Sequence, residues 1–154
     1  MGTSVKESKP PITYIRVILL IAALASFISG VLVYAFFRNS DLLVYRITGR
    51  PIVLNRLYQT QGNSGPLSDI LVYNVPDGLW LLSGILFIRT LWPDKGAEGK
   101  IYILIFCFLA VLFEVLQLFN FMPGTFDVLD LMAMVLSAFV EGVIFTCFVQ
   151  RRLS

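Results

Sequence analysis

Carboxylates set inside apolar sequence are the residues of this chain with chemistry to offer. Glu114 interrupts an apolar run from Ile101 to Met122, and Asp127, Asp130 and Glu141 fall in the next run, Phe126 to Val149. Asp77 stands near the start of a third run that also carries Arg89. Glu114 and Gln117 are spaced i, i+3, as are Asp127 and Asp130, so on a helix each pair shares a face. Paired carboxylates can do acid–base work, hold a divalent cation, or bind a cationic ligand. The rest of the catalytic repertoire is thin. The chain has no histidine, which removes imidazole bases, imidazole metal ligands and most Ser–His or Cys–His nucleophiles. Cys107 and Cys147 lie within apolar segments and read as buried free thiols. Ser83 and Ser137 read as packing residues. The expectation is of no catalytic residue, no metal site and no cofactor.

The elements that must position these groups follow from composition. Of the 154 residues, 57% are hydrophobic and 14% charged, against ~25% charged in soluble domains. A soluble core of this size could not hide so much apolar surface, whereas lipid accepts it. The net charge of +2 gives no reason to expect nucleic acid as a partner. A span needs ~20 mostly apolar residues. Four such segments predict an all-α membrane protein, a four-transmembrane-helix bundle: 17–37, 75–92, 101–122 and 126–149. The first is free of charge over 21 residues, longer than the ~7–15 of a signal peptide's apolar region, so it reads as a retained anchor. Lys6 stands where a myristoylation signal wants Ser or Thr. Asn74 is placed to cap the second helix, with Pro76 tolerated in its first turn. Thr125 can cap the fourth.

Segments 1–16, 93–100 and 150–154 then lie on one side, and 38–74 and 123–125 on the other. With the N-terminus inside, the inner side holds eight Lys and Arg (Lys6, Lys9, Arg16, Arg89, Lys95, Lys100, Arg151, Arg152) and the outer side four (Arg38, Arg46, Arg50, Arg56). The positive-inside rule therefore predicts cytoplasmic N- and C-termini. The loop 38–74 is partly apolar, through Leu42, Leu43, Val44, Ile52, Val53 and Leu54, and packs at the interface on this reading.

This topology gathers Asp77, Glu114, Gln117, Asp127 and Asp130 at the outer side, at the ends of three helices, with Asn74 and Asn120 close by. Taking Met122 as its helix end, Glu114 lies ~12 Å inside. It then needs a donor (Gln117, or Arg46, Arg50 or Arg56 from the loop) or a proton. Asp77, Asp127 and Asp130 in first turns also complement the helix dipole, a purely structural role. Deeper in, Arg89 lies ~18 Å past Asp77 and Glu141 ~21 Å past Asp127 along their helices. At similar depth they are expected to form a structural ion pair, because either charge alone would be expensive in lipid. Small residues recur every fourth position, as Ala22/Ser26/Gly30 and Ala138/Gly142/Thr146. Such faces let helices approach closely, within the chain or against a membrane protein partner.

The stretch from Glu114 through Gln117, Pro123, Gly124 and Asp127 to Asp130 resembles the VanZ-like family of small bacterial membrane proteins. That family ends one helix with E-x-x-Q, turns with Pro or Gly, and opens the next with D-x-x-D. Pro76-Asp77-Gly78 is similar to its Asp-Lys segment. The match covers about residues 74–142. It differs at Gly78, Leu81, Thr125 and Met134, where the family carries Lys, His, Arg and Asn. The resemblance implies a related fold in the bacterial inner membrane, an outward-facing acidic site and a cell-envelope function of the kind associated with teicoplanin resistance. The expected function is thus a non-enzymatic envelope protein binding a cationic or polar ligand. The alternatives are a subunit of a larger membrane complex, a carboxylate-dependent enzyme acting on a lipid-linked substrate, and a channel or carrier.

Overall fold

The computed structural model describes residues 12–37, 66–93, 96–122 and 126–150. They are helical almost throughout: α1 (Ile12–Phe37), α2 (Pro66–Tyr73), α3 (Val75–Leu91), α4 (Ala97–Leu118) and α5 (Val128–Ile144), the last running into a π-helical turn, Phe145–Gln150. Four helices are long and apolar enough to cross a membrane: Ile12–Tyr34, Ile70–Leu91, Ala97–Leu118 and Val128–Cys147. Their surface is that of a multi-pass membrane protein, with Ile21, Leu104, Phe108, Leu136 and Phe139 each more than half exposed. The loop arginines Arg38, Arg46, Arg50 and Arg56, the apolar stretch of that loop, Thr125 and the terminal Lys and Arg residues lie outside the described residues.

The helix ends correct the sequence expectations in physical ways. Helix α1 starts at Ile12 rather than Val17, because Arg16 is a good helix former and a charge that ends a hydropathy window does not end a helix. The segment before Asn74, expected as loop, ends in α2. Pro66 opens that helix, where its missing N–H costs nothing. Helices α2 and α3 are almost continuous. Asn74 N–H still reaches the Ile70 carbonyl at 3.0 Å. The break falls there because Pro76 has no N–H for the carbonyl four residues back.

Helix α4 stops at Leu118, not Met122. Asn120 adopts φ 58°, its N–H reaches the Gln117 carbonyl and the Phe121 N–H reaches that of Leu116, both at 3.0 Å. This is a Schellman ending with Asn in the left-handed position. Glu114 therefore sits one turn, ~6 Å, inside the helix end rather than ~12 Å. Helix α5 is capped by Asp127, whose Oδ1 accepts the Leu129 N–H at 2.9 Å, so its first helical residue is Val128 rather than Phe126.

Helix α3 is the hub. On one side it packs along α1. A Cβ on Gly30 would lie 2.6 Å from Trp80 Nε1, and Ser26 Oγ donates to the Leu79 carbonyl at 2.9 Å. The Ala22/Ser26/Gly30 face is thus covered within the chain. Towards the α1 N-terminal end of this contact, Ile15, Leu19, Ala23, Leu86 and Phe145 form one cluster. On the other side α3 meets α5. A Cβ on Gly78 would come within 2.9 Å of both the Ala133 carbonyl oxygen and Ser137 Oγ, so only glycine lets these two helices approach so far. Helix α4 packs against this pair through a narrow strip. Leu81, Ile85 and Met134 face Ile103, Phe106, Cys107, Ala110 and Ala138. The only residues α4 buries are Gly99 near its N-terminus and Glu114 near its C-terminus. Gly142 has open space around it and Thr146 is exposed, so that part of the second small-residue face is uncovered in the monomer.

Candidate functional site

Three helix ends meet at the α2–α3 break. The kink holds Asn74 at the mouth of the seam between α3, α4 and α5, where it is 3% exposed. Its side chain does not cap α3. It crosses to α5 instead, where Nδ2 donates to Asp130 Oδ1 at 2.7 Å and to Asp127 Oδ2 at 3.2 Å. An amide nitrogen has two hydrogens, and both are committed. Asp127 therefore does two jobs, capping its own helix through one oxygen and binding Asn74 through the other.

Glu114 enters this group from α4. Its neighbours Val111, Leu112 and Phe113 face outwards, yet Glu114 is turned in and 7% exposed. It lies within electrostatic reach of Asp130 first and Asp127 second. Gln117 Nε2 stands 3.4 Å from Oε1, a long hydrogen bond. Oε2 is buried and accepts no hydrogen bond among the described residues. Asp77 is half-buried one turn past Asn74 and carries an interaction of its own. It precedes Gly84 by two turns, and Gly84 faces Phe106 of α4, so Asp77 sits on the α4 side of α3. Glu114, Asp127 and Asp130 thus come together with Gln117 beside them. The residue that joins Asp127 and Asp130, Asn74, reads in the sequence as a cap that lies close to the acidic group. Its partners lie more than fifty positions away, and no local pattern signals them.

The second polar group lies towards the other end of the seam. Arg89 Nε donates to Glu141 Oε1 at 2.7 Å, with both side chains nine-tenths buried. The guanidinium also lies 3.8 Å from the centroid of the Phe145 ring, a cation–π contact. Its Nη1 is buried without a hydrogen-bond partner, so the pair is single-pronged rather than bidentate. Between the two polar groups Leu81, Ile85 and Met134 form a dry layer, with Ile85 fully buried.

The arrangement offers oxygen acceptors and little else. Among the described residues no group of three or more Asp, Glu, Cys or His could hold a metal ion. Ser83 Oγ is spent on the Trp80 carbonyl at 2.9 Å. Cys107 and Cys147 are free thiols. Contrary to the sequence reading, Cys147 is exposed and Cys107 half-buried. The chain matches no family model, no curated protein and no solved structure.

Proposed function

We propose that this chain is a VanZ-like, non-enzymatic protein of the bacterial inner membrane, with both termini cytoplasmic and the mouth of the α3–α4–α5 seam facing out. The mouth binds the polar, cationic part of a cell-envelope ligand. One observation carries this reading. Glu114 of α4 is turned out of lipid into a group that already holds Asp127 and Asp130 of α5. Ionisable side chains within membrane-spanning helices are kept at a cost, and such residues generally serve a pathway or a ligand. Orientation rests on the Lys and Arg bias. The VanZ-like name rests on Glu114, Gln117, Asp127 and Asp130, the positions that carry the resemblance.

Expression in a teicoplanin-susceptible bacterium tests the function. The inhibitory concentration should rise with the wild-type chain and return to baseline with Glu114→Gln. No rise with a well-expressed wild-type chain would reject the envelope role. A membrane-impermeant maleimide tests the orientation. In a background free of Cys107 and Cys147, Phe121→Cys should react in intact cells and Lys100→Cys only in broken ones.

A second reading, as a subunit of a larger membrane complex, is favoured by the open space at Gly142 and by the exposed outer face of α4. Co-purification of a stoichiometric protein partner from native membranes would select it.

A further inference from the structure

We infer that the seam mouth takes a single ammonium group bearing N–H donors, presented by a phospholipid headgroup or by a small soluble amine. This rests on reading the mouth as a binding site. It does not depend on which side of the membrane the mouth faces.

The argument starts from one oxygen. Glu114 is 7% exposed and its Oε2 accepts no hydrogen bond among the described residues. A buried acceptor left unpaired costs the full desolvation of the group. The described neighbours cannot relieve it. Asn74 has given both amide hydrogens to Asp127 and Asp130, and Gln117 reaches the other oxygen, at 3.4 Å. The oxygen is thus an acceptor held ready beside two further carboxylates, and the complement is a compact cation with several donors.

Geometry chooses among cations. Calcium and magnesium need several oxygens converging at ~2.0–2.6 Å, and among the described residues no three carboxylates are close enough together to supply them. An ammonium donates three hydrogen bonds at ~2.7–2.9 Å, and so spans oxygens set further apart. A quaternary ammonium carries the same charge without N–H and cannot satisfy Oε2. Depth suits a headgroup. Asn74 adjoins α3's first residue, Asp127 caps α5 and Glu114 is one turn from the end of α4, while Tyr73, Phe119 and Phe121 are exposed around the same level.

The test is retention of lipids by the full chain in nanodiscs holding equal amounts of phosphatidylethanolamine, phosphatidylcholine and phosphatidylglycerol, read by native mass spectrometry. The first two lipids differ only in the N–H donors of the amine. Wild type should retain phosphatidylethanolamine about tenfold over phosphatidylcholine, the equivalent of one charge-assisted hydrogen bond. Glu114→Gln should reduce the preference to about twofold or less by losing that bond. Should Glu114→Gln not fold, Asp127→Asn keeps a capping side chain and removes one charge. It should lower the preference several-fold. Calorimetry with ethanolamine in phosphatidylglycerol nanodiscs separates the sources. Lipid preference without ethanolamine binding assigns a headgroup, and ethanolamine binding without lipid preference assigns a soluble amine. Absence of both in wild type overturns the inference, as does an unchanged preference in the folded variants. Nanodiscs expose both faces of the membrane, so this result is independent of the orientation and teicoplanin experiments.

Discussion

Replacing Glu141 by Leu should be far more damaging than replacing Glu141 and Arg89 together. In Glu141→Leu the Arg89 guanidinium stays nine-tenths buried with its one carboxylate gone. Removing one partner of a buried pair costs ~3–5 kcal/mol. The lower part of that range applies, because the contact is a single bond at 2.7 Å with Nη1 already unpaired and the Phe145 ring stays beneath the charge. We expect about 3 kcal/mol for Glu141→Leu and a similar loss for Arg89→Leu. In the double variant neither charge needs solvating, and stability should return to within about 1 kcal/mol of wild type. The coupling in the double-mutant cycle is then about 5–7 kcal/mol, with the two losses failing to add. Reversible unfolding in mixed micelles with rising dodecyl sulfate, followed by circular dichroism, measures each corner. If each single variant loses less than about 1 kcal/mol and the losses add, the two residues are independent and the reasoning is wrong.

Asn74→Ala removes the bridge from α3 to Asp127 and Asp130. At ~0.6–1.7 kcal/mol per interhelical bond in membranes, the loss should be about 1–3 kcal/mol in the same unfolding assay. Gly78→Leu drives a side chain against the Ala133 carbonyl, and overpacking of this kind costs ~1–3 kcal/mol. Cross-linking between cysteines placed on α3 and α5 should fall in parallel. Asn120 holds a left-handed backbone, so Asn120→Gly should be neutral or stabilising. Asn120→Val should cost about 1–2 kcal/mol and fray the end of α4, visible as faster amide exchange at Gln117 and Leu118.

The sequence made the spans and the depth of the polar residues legible, because hydrophobic length and helical rise are local properties. Arg89 and Glu141 illustrate this. Two lengths measured along two helices suffice to bring them level, and the structure joins them. The misread features are those decided by backbone geometry or by distant partners. Phe119, Phe121 and Met122 extend the apolar run, so hydropathy carries α4 past Asn120, where the backbone turns left-handed. Asn74 looks like a cap because Asn commonly caps helices, and nothing beside it names Asp127 or Asp130. Asp127 as a cap was legible in principle, being an Asp directly ahead of an apolar run. Thr125 took its place because the turn was drawn too tight.

The narrow strip by which α4 is held has a consequence for how the protein is made. Helices α1 and α3 can make most of their contact, the Ser26–Leu79 and Gly30–Trp80 part included, as soon as both are present. Helix α4 has nowhere to finish docking at that moment, because Met134, Ala138 and Asp130, which complete its berth, belong to the helix synthesised after it. Until α5 arrives, Glu114 is a carboxylate on a helix that has not finished docking, and it is the last helix of the bundle that buries it.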